Sequence, residues 1–379
     1  MKKILLLLLC VVLAVTMLAS CDEGGIGEYE YPDFVPDYVP AITLDFYIIV
    51  GEQTSDLAID SVGRMLSQYT ETKFKTSLNV HYITESEYES ELRAGIAETG
   101  DAKADIVLIN SAELMQSLVS DQLLHDLTPY YDGTVYGRLN TIVTDTLIEA
   151  SAIDGKLYSV PNDHIIGSYT YLLINEAEAT NRHNFSPESL KACKSLDDEV
   201  MLQLKAAIEA DGKNFDDFVK VVTGDQNDKT AYEADGYICN VSQYPVVDAD
   251  EAFSSAFSVV KGIQYPDRAM EIIYLLNTDT YFRNLLQYGV EGVNYVNDDG
   301  KILPHTVGDG VYEMNSLYTG SSFMLYYSEA WTEEMKTVGL AQNEDSVVYV
   351  PAPEIPAPET PNPETPNPET PDPDEPRGE

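Results

Sequence analysis

Between residues 41 and 119 the chain alternates short apolar runs with amphipathic stretches, and this alternation limits its fold more than any other feature. Ala41–Val50 reads as a buried strand, and Leu57–Tyr69 as a helix with Ala58, Val62, Met65, Leu66 and Tyr69 on one face. Leu78–Thr84 is a second strand. Ser86 with Glu89 makes a capping box that opens a helix to about Thr99. Ala104–Asn110 is a third strand, and Ser111 begins a helix through Val119. Parallel neighbours need long crossovers, usually helices, so this order predicts an α/β fold with a parallel sheet covered on both faces.

The pattern continues in shorter pieces. A helical stretch near 138–150 leads to a turn at Ile153-Asp154-Gly155-Lys156 and a strand Leu157–Val160, which Pro161 breaks. Ser168–Asn175 is another strand. Ser195 with Asp198 caps a helix carrying Met201, Leu204 and Ile208 that ends near Gly212. Ser254–Val260 is strand-like, and Pro266 suits the first turn of a helix with Ala269, Ile272, Ile273 and Leu276 on one face. A second helix holds Phe282, Leu285 and Leu286 and stops at Gly289. Val293–Val296 and Lys301–Leu303 flank Asp298-Asp299-Gly300 as a hairpin. Ser322–Tyr327 reads as a last strand, with a short helix around Trp331. At 379 residues the chain has room for two domains, or one split into two lobes.

Both ends differ from this body. Lys2 and Lys3 precede an apolar run from Ile4 to Ala19 that is too short to span a bilayer and fits a secretory signal. It closes in Leu18-Ala19-Ser20-Cys21, which resembles the bacterial lipobox: small residues admit the peptidase, and the thiol takes the diacylglyceryl group. Residues 1–21 therefore read as a lipoprotein signal peptide, with lipid, palmitate included, on Cys21. Several acyl chains give a stable hold on a membrane where one does not. Residues 22–40, with Pro32, Pro36 and Pro40, form an extended tether. Residues 351–379 hold eleven of the twenty prolines and repeat Pro-Glu-Thr-Pro-Asn, so they have little to bury and stay extended and hydrated.

Charge and motifs then remove whole classes of function. A formal net charge of −42 repels phosphate backbones and excludes nucleic-acid binding. Cys10 lies in the leader and Cys21 carries lipid, which leaves Cys193 and Cys239: an oxidising exterior would permit a disulfide between them, and the other reading is two buried free thiols, because a framework protein would carry more cysteines. The five histidines are scattered with no metal spacing, and Asp225-Gln226-Asn227-Asp228 and Asn297-Asp298-Asp299-Gly300 read as turns rather than calcium loops. No phosphate loop, dinucleotide fingerprint or nucleophile elbow occurs. The reading is a non-enzyme without cofactor or metal.

Six stretches, in order, carry a family likeness: Ala104–Asn110, Gly155–Pro161, Tyr171–Asn175, Tyr265–Met270, Tyr288–Gly292 and Tyr318–Gly320. With them the chain resembles the family 1 extracellular solute-binding proteins of ABC importers, common among sugar-binding lipoproteins. The resemblance implies a periplasmic-binding-protein-like fold: two α/β lobes, each a mostly parallel sheet covered by helices, joined by hinge crossovers. By that likeness lobe 1 takes 41–164 and 258–312, and lobe 2 takes 165–257 and 313–350, a second lobe reduced for the family. Its ligand residues would be Glu52 beside Gly51, Asn110, Ser111, Asn162, Asp163, His164, and the aromatics Tyr327 and Trp331. Competing assignments are an N-cap for Ser111, a strand end for Asn110, lobe packing for Trp331 and an exposed loop position for His164. The implied function is a monomeric, membrane-anchored receptor facing the extracytoplasmic side, which hands a small solute, a carbohydrate, to ABC permease subunits. The rivals are the same fold binding a cation such as a polyamine, and a surface-anchored hydrolase.

Overall fold

The computed structural model describes residues 40–97, 103–131 and 139–349. The signal segment with Cys21, the tether up to residue 39 and the Pro-rich tail lie outside the described residues.

A five-stranded sheet, ordered β2 (Thr76–Thr84), β1 (Ile42–Val50), β3 (Ile106–Ile109), β9 (Ala256–Val259) and β4 (Ser159–Pro161), organises the larger part. β1 (Ile42–Val50) pairs in parallel with β2 (Thr76–Thr84) along its whole length, from Ile42↔Thr76 to Val50↔Thr84, and β3 (Ile106–Ile109) lies parallel on its other side. Helix α1 (Asp56–Phe74) makes the first crossover. Ser55 caps it by accepting from the Ala58 N–H, and Ala58, Val62, Leu66, Thr70 and Phe74 form its buried stripe at four-residue spacing. It runs five residues past the expected Tyr69 because Thr70, although polar, is buried with its hydroxyl donating to the Thr76 carbonyl at 2.6 Å. Helix α2 (Glu85–Ile96) starts one residue before the expected Ser86–Glu89 box: Thr84 is the cap residue, and its hydroxyl bonds Glu87 at 3.1 Å. Helix α3 (Ala112–Ser120) begins at Ser111, whose hydroxyl accepts from the Leu114 N–H.

After α4 (Asp145–Ala150), the edge strand β4 (Ser159–Pro161) leads away from this sheet. A second sheet follows, ordered β6-β5-β7, with β5 (Tyr169–Asn175) between β6 (Val219–Gly224) and β7 (Tyr237–Gln243). Helices α5 (Glu199–Ala210) and α6 (Gln226–Ala234) pack with it. Both pairings in this sheet are antiparallel, so the expectation of a mostly parallel sheet in each lobe is corrected here. β6 lies at the edge of this sheet with residues 220, 221 and 223 exposed, and antiparallel sheets tolerate such contact with water where doubly covered parallel sheets do not.

β8 (Val246–Val247) and helix α7 (Ala249–Phe253) lead back to β9 (Ala256–Val259), which joins the first sheet antiparallel to both β3 and β4. Helices α8 (Pro266–Thr278) and α9 (Thr280–Tyr288) then pack with β9 and α1. The expected hairpin is β10 (Tyr295–Asp298) with β11 (Lys301–Pro304), turned by Asp299 and Gly300, both at positive φ (50° and 82°) as a tight two-residue turn requires. Ser322–Tyr327 is not a strand. A 3₁₀ turn occupies Ser322–Met324, and the buried Asn284 amide takes the backbone groups that a neighbouring strand would have paired. Helix α10 (Glu333–Glu344) follows, and β12 (Val347–Val348) pairs with β8.

The sheets have separate cores. One large cluster surrounds the first sheet. The second sheet buries Leu172 and Ile174 against Met201, Leu204 and Ile208 on one face, and Tyr169, Tyr171 and Leu173 on the other. Cys193 and Cys239 belong to these two opposite faces and are both free and buried, in line with the second reading from sequence.

Candidate functional site: the facing ends of two sheets

Topology brings two sheet ends together. β4 leaves the first sheet at Pro161 and the chain enters the second at Tyr169; β7 leaves the second sheet at Gln243 and the chain re-enters the first at Ala256. Pro161 and Ile109 are both in register with Ala256, while Tyr169 pairs with Gly224 and Thr170 with Gln243. The crossings therefore join the carboxyl ends of β1, β3 and β4 to the end of the second sheet made by Tyr169, Gly224 and Gln243. Open α/β sheets hold ligands at such carboxyl ends.

The crossings are stitched by the residues expected to touch ligand. The Asn162 amide donates to Ser255 Oγ at 2.7 Å and to the Leu317 carbonyl at 2.9 Å. Asp163 accepts from the Thr144 hydroxyl at 2.8 Å, and its carbonyl accepts from the Ser322 N–H. His164 bonds the Asn162 carbonyl through Nδ1 at 2.7 Å and Glu251 through Nε2 at 3.0 Å. Asn343 closes the network by donating to the His164 carbonyl and accepting from the Ile166 N–H. All three predicted residues are buried, so His164 is not the exposed loop residue offered as its alternative. Burial pushes the Asp163 carboxyl up to about 6 against the pull of Thr144 and the His164 charge. Burial opposes the charged form of His164, but hydrogen bonds to Glu251 and the Asn162 carbonyl outweigh it and raise the ring's pKa. A hollow of about 440 Å³ opens beside Asp163, between Thr144 and Asn343.

The first sheet's edge carries the other early candidates. Glu52 stands exposed in the turn after β1. Gly51 lies under residues 311–319, its N–H donating to the Glu313 carbonyl at 2.9 Å, and a Cβ there would sit 2.7 Å from Glu313 Cβ. Asn110 lies near the Tyr318 hydroxyl, which reaches Glu85 at 3.4 Å. Ser111 is engaged as the cap of α3.

The aromatic candidates lie differently from expectation. Trp331 is 9% exposed and packs against Phe323 with ring centroids 6.0 Å apart, beside Leu325, Ile165 and Tyr288, so it is a core residue rather than an open stacking platform. Tyr327 is exposed, but its carbonyl is held by the Ile302 N–H of the hairpin.

Residues not singled out from sequence form the second sheet's contribution. Tyr169 and Tyr171 stack with centroids 5.5 Å apart, and Tyr244 lies 6.2 Å from Tyr169. The Gln226 amide donates to the Tyr169 hydroxyl at 3.1 Å, which donates to Asp345 at 2.8 Å. Burial raises the Tyr169 hydroxyl to about 12, which keeps it a neutral hydrogen-bonding group. Tyr169, Tyr171 and Gln226 line a hollow of about 340 Å³ together with Asn227 and Lys229. Two signals pointed here. Tyr169 and Tyr171 are spaced for one face of the first strand after the crossing, and Asp225–Asp228, read as a turn, is the capping box of α6. Aromatic rings beside amides and carboxylates can stack on a pyranose and bond its hydroxyls. Among the described residues no group of His, Cys, Asp or Glu is placed to hold a metal.

Two α/β lobes joined by crossings at the ends of their sheets define the two-lobed solute-binding fold. No family model matches the chain, and no curated protein matches it by sequence. Among solved structures it is similar to the N-glycan transport solute binding protein (NgtS) of Streptococcus pneumoniae. The complex of that protein with Man1GlcNAc is 16% identical with a TM-score of 0.51, covering 81% of this chain and 84% of that one. The same protein described without ligand gives 15% identity and a TM-score of 0.52, covering 81% and 83%.

Proposed function

We propose that this chain is an extracytoplasmic solute-binding lipoprotein that captures a carbohydrate between its two lobes and delivers it to an ABC permease. The observation that carries this reading is the tyrosine-and-amide hollow at the end of the second sheet, joined by the crossings to the carboxyl edge of the first. The likeness of fold to NgtS, an N-glycan transport solute binding protein, supports the carbohydrate class. Tyr244, exposed beside the buried Tyr169, would take the apolar face of a sugar, Gln226, Asn227 and Glu52 its hydroxyls, and rotation about the crossings would close the lobes over it. Asn162, Asp163 and His164 act as the joint rather than as direct ligands.

Lobe 1 is assigned to 41–164 and 258–312 and lobe 2 to 165–257 and 313–350; the bonds of Gly51 to Glu313 and of Asn162 to Leu317 support extending lobe 1 to about 319. Cys21 anchors the monomer by lipid, the tether lifts it, and no bond is made or broken in the solute. The carboxylates of Glu52, Glu85 and Glu313 at the first sheet's edge favour one alternative, a cationic solute such as a polyamine.

The test is calorimetry of the full chain, in a detergent without sugar groups, against neutral oligosaccharides and polyamines at low and high salt. A sugar bound with salt-independent affinity supports the proposal. Polyamine binding that falls steeply with salt overturns it in favour of the cationic reading.

A further inference from the structure

A second hollow lies away from the facing sheet ends. It measures about 270 Å³, near the lower end of the roughly 300–1,000 Å³ typical of ligand pockets. Thr280, Phe323, Leu325, Tyr326, Tyr327 and Lys336 line it, and none of them lines the hollow beside Tyr169. Its wall rests on α9 and the β10–β11 hairpin rather than on the crossing strands.

Three features make it more than a surface dent. Its backbone is held in advance: Asn284, 1% exposed, accepts from the Tyr326 N–H at 2.8 Å and donates to the carbonyls of Met324 and Thr280, each at 2.7 Å. The Ile302 N–H fixes the Tyr327 carbonyl at 3.0 Å. A buried amide is thus committed to presenting two adjacent tyrosines. Of the two, Tyr327 is left open to water at 37% exposed and Tyr326 is half-buried, with the exposed Tyr281 near it outside the lining. The lining is also amphipathic. Phe323 and Leu325 supply apolar surface, while the Thr280 and tyrosine hydroxyls and the Lys336 ammonium supply polar groups. A pyranose has this same division, with C–H faces for aromatic rings and a hydroxyl rim for hydrogen bonds.

We infer that this pocket is a second carbohydrate site outside the cleft, taking a single neutral pyranose unit against Tyr327. It goes beyond the capture function, and its test does not require the cleft to bind. Trp331, the only tryptophan of the chain, packs on Phe323 and therefore reports on the pocket by fluorescence.

The experiment titrates the full chain, in a detergent without sugar groups, with methyl mannopyranoside and methyl N-acetylglucosaminide at tens of millimolar. A saturable change in Trp331 emission is expected, weakened about tenfold or more in Tyr327→Ala, less in Tyr327→Phe, and retained in Tyr244→Ala. Three results overturn the inference: no emission change with either glycoside, an unchanged response in Tyr327→Ala, or a response removed by Tyr244→Ala, which would place the signal in the cleft. Loss of cleft binding with the Trp331 response intact would overturn only the capture reading.

Discussion

Replacing Asp163 by Asn should stabilise the protein at neutral pH and leave it unchanged in acid. The carboxyl is 4% exposed at the joint between the crossings, and burial lifts its pKa from 3.8 to about 6. A pKa raised on folding means the folded state prefers the protonated acid. The favourable contribution is complete below about pH 4, is lost as pH rises through about 6, and stays lost above that. A shift of about two units at ~1.36 kcal/mol each amounts to about 3 kcal/mol, an upper value because the joint can relax. The asparagine keeps the oxygen that accepts from Thr144 at 2.8 Å, cannot ionise, and places its new N–H₂ beside the hollow where water can reach it. Urea unfolding at pH 4, 5, 6 and 7.5 checks this. The variant should gain about 1–3 kcal/mol at pH 7.5 and converge with the parent at pH 4. An Asp163→Asn variant less stable than the parent at pH 7.5, or a difference that does not vary with pH, refutes the reasoning.

Further outcomes follow from other buried groups. Arg283 is fully buried with no acid partner among the described residues; burial pulls its pKa down to about 9, and it donates to the Ser321 and Ser316 carbonyls at 3.0 and 2.8 Å. Arg283→Ala should cost about 3 kcal/mol or more in urea unfolding, and Arg283→Met, which fills the space without a charge to desolvate, should cost less. Gly51→Ala forces a Cβ to within 2.7 Å of Glu313 Cβ and should cost about 1–3 kcal/mol while weakening solute binding. Glu251→Gln removes the charge that supports protonated His164; the imidazole pKa should fall in an NMR titration, and the stability that ring adds below its folded pKa should shrink.

The first sheet was legible because its signals are local. β3 is four buried apolar residues in a row, and α1 repeats its buried stripe every four residues. β6 escaped because half of its side chains face water, and β7 because the polar Asn240 sits in its buried stretch, so neither offers a continuous apolar run. Ser322–Tyr327 has a strand's composition, but the partner of its backbone is one distant side chain, Asn284, which no local pattern reveals. The candidate site divides the same way. The position of the first crossing was readable from Pro161, but spacing does not say which polar side chains turn inward, and Asn162, Asp163 and His164 all do. Tyr169 was one of 26 tyrosines until the register placed it at the end facing the first sheet.

Capture between two closing lobes is tested most directly by calorimetric titration of the full chain and of its Tyr244→Ala/Gln226→Ala variant with a mannose–N-acetylglucosamine oligosaccharide, alongside a wider panel of neutral glycans. The account predicts tight uptake of at least one of these glycans that falls about a hundredfold in the variant, whose fold is otherwise intact. Binding that the double substitution leaves untouched, or no binding of any glycan, contradicts it.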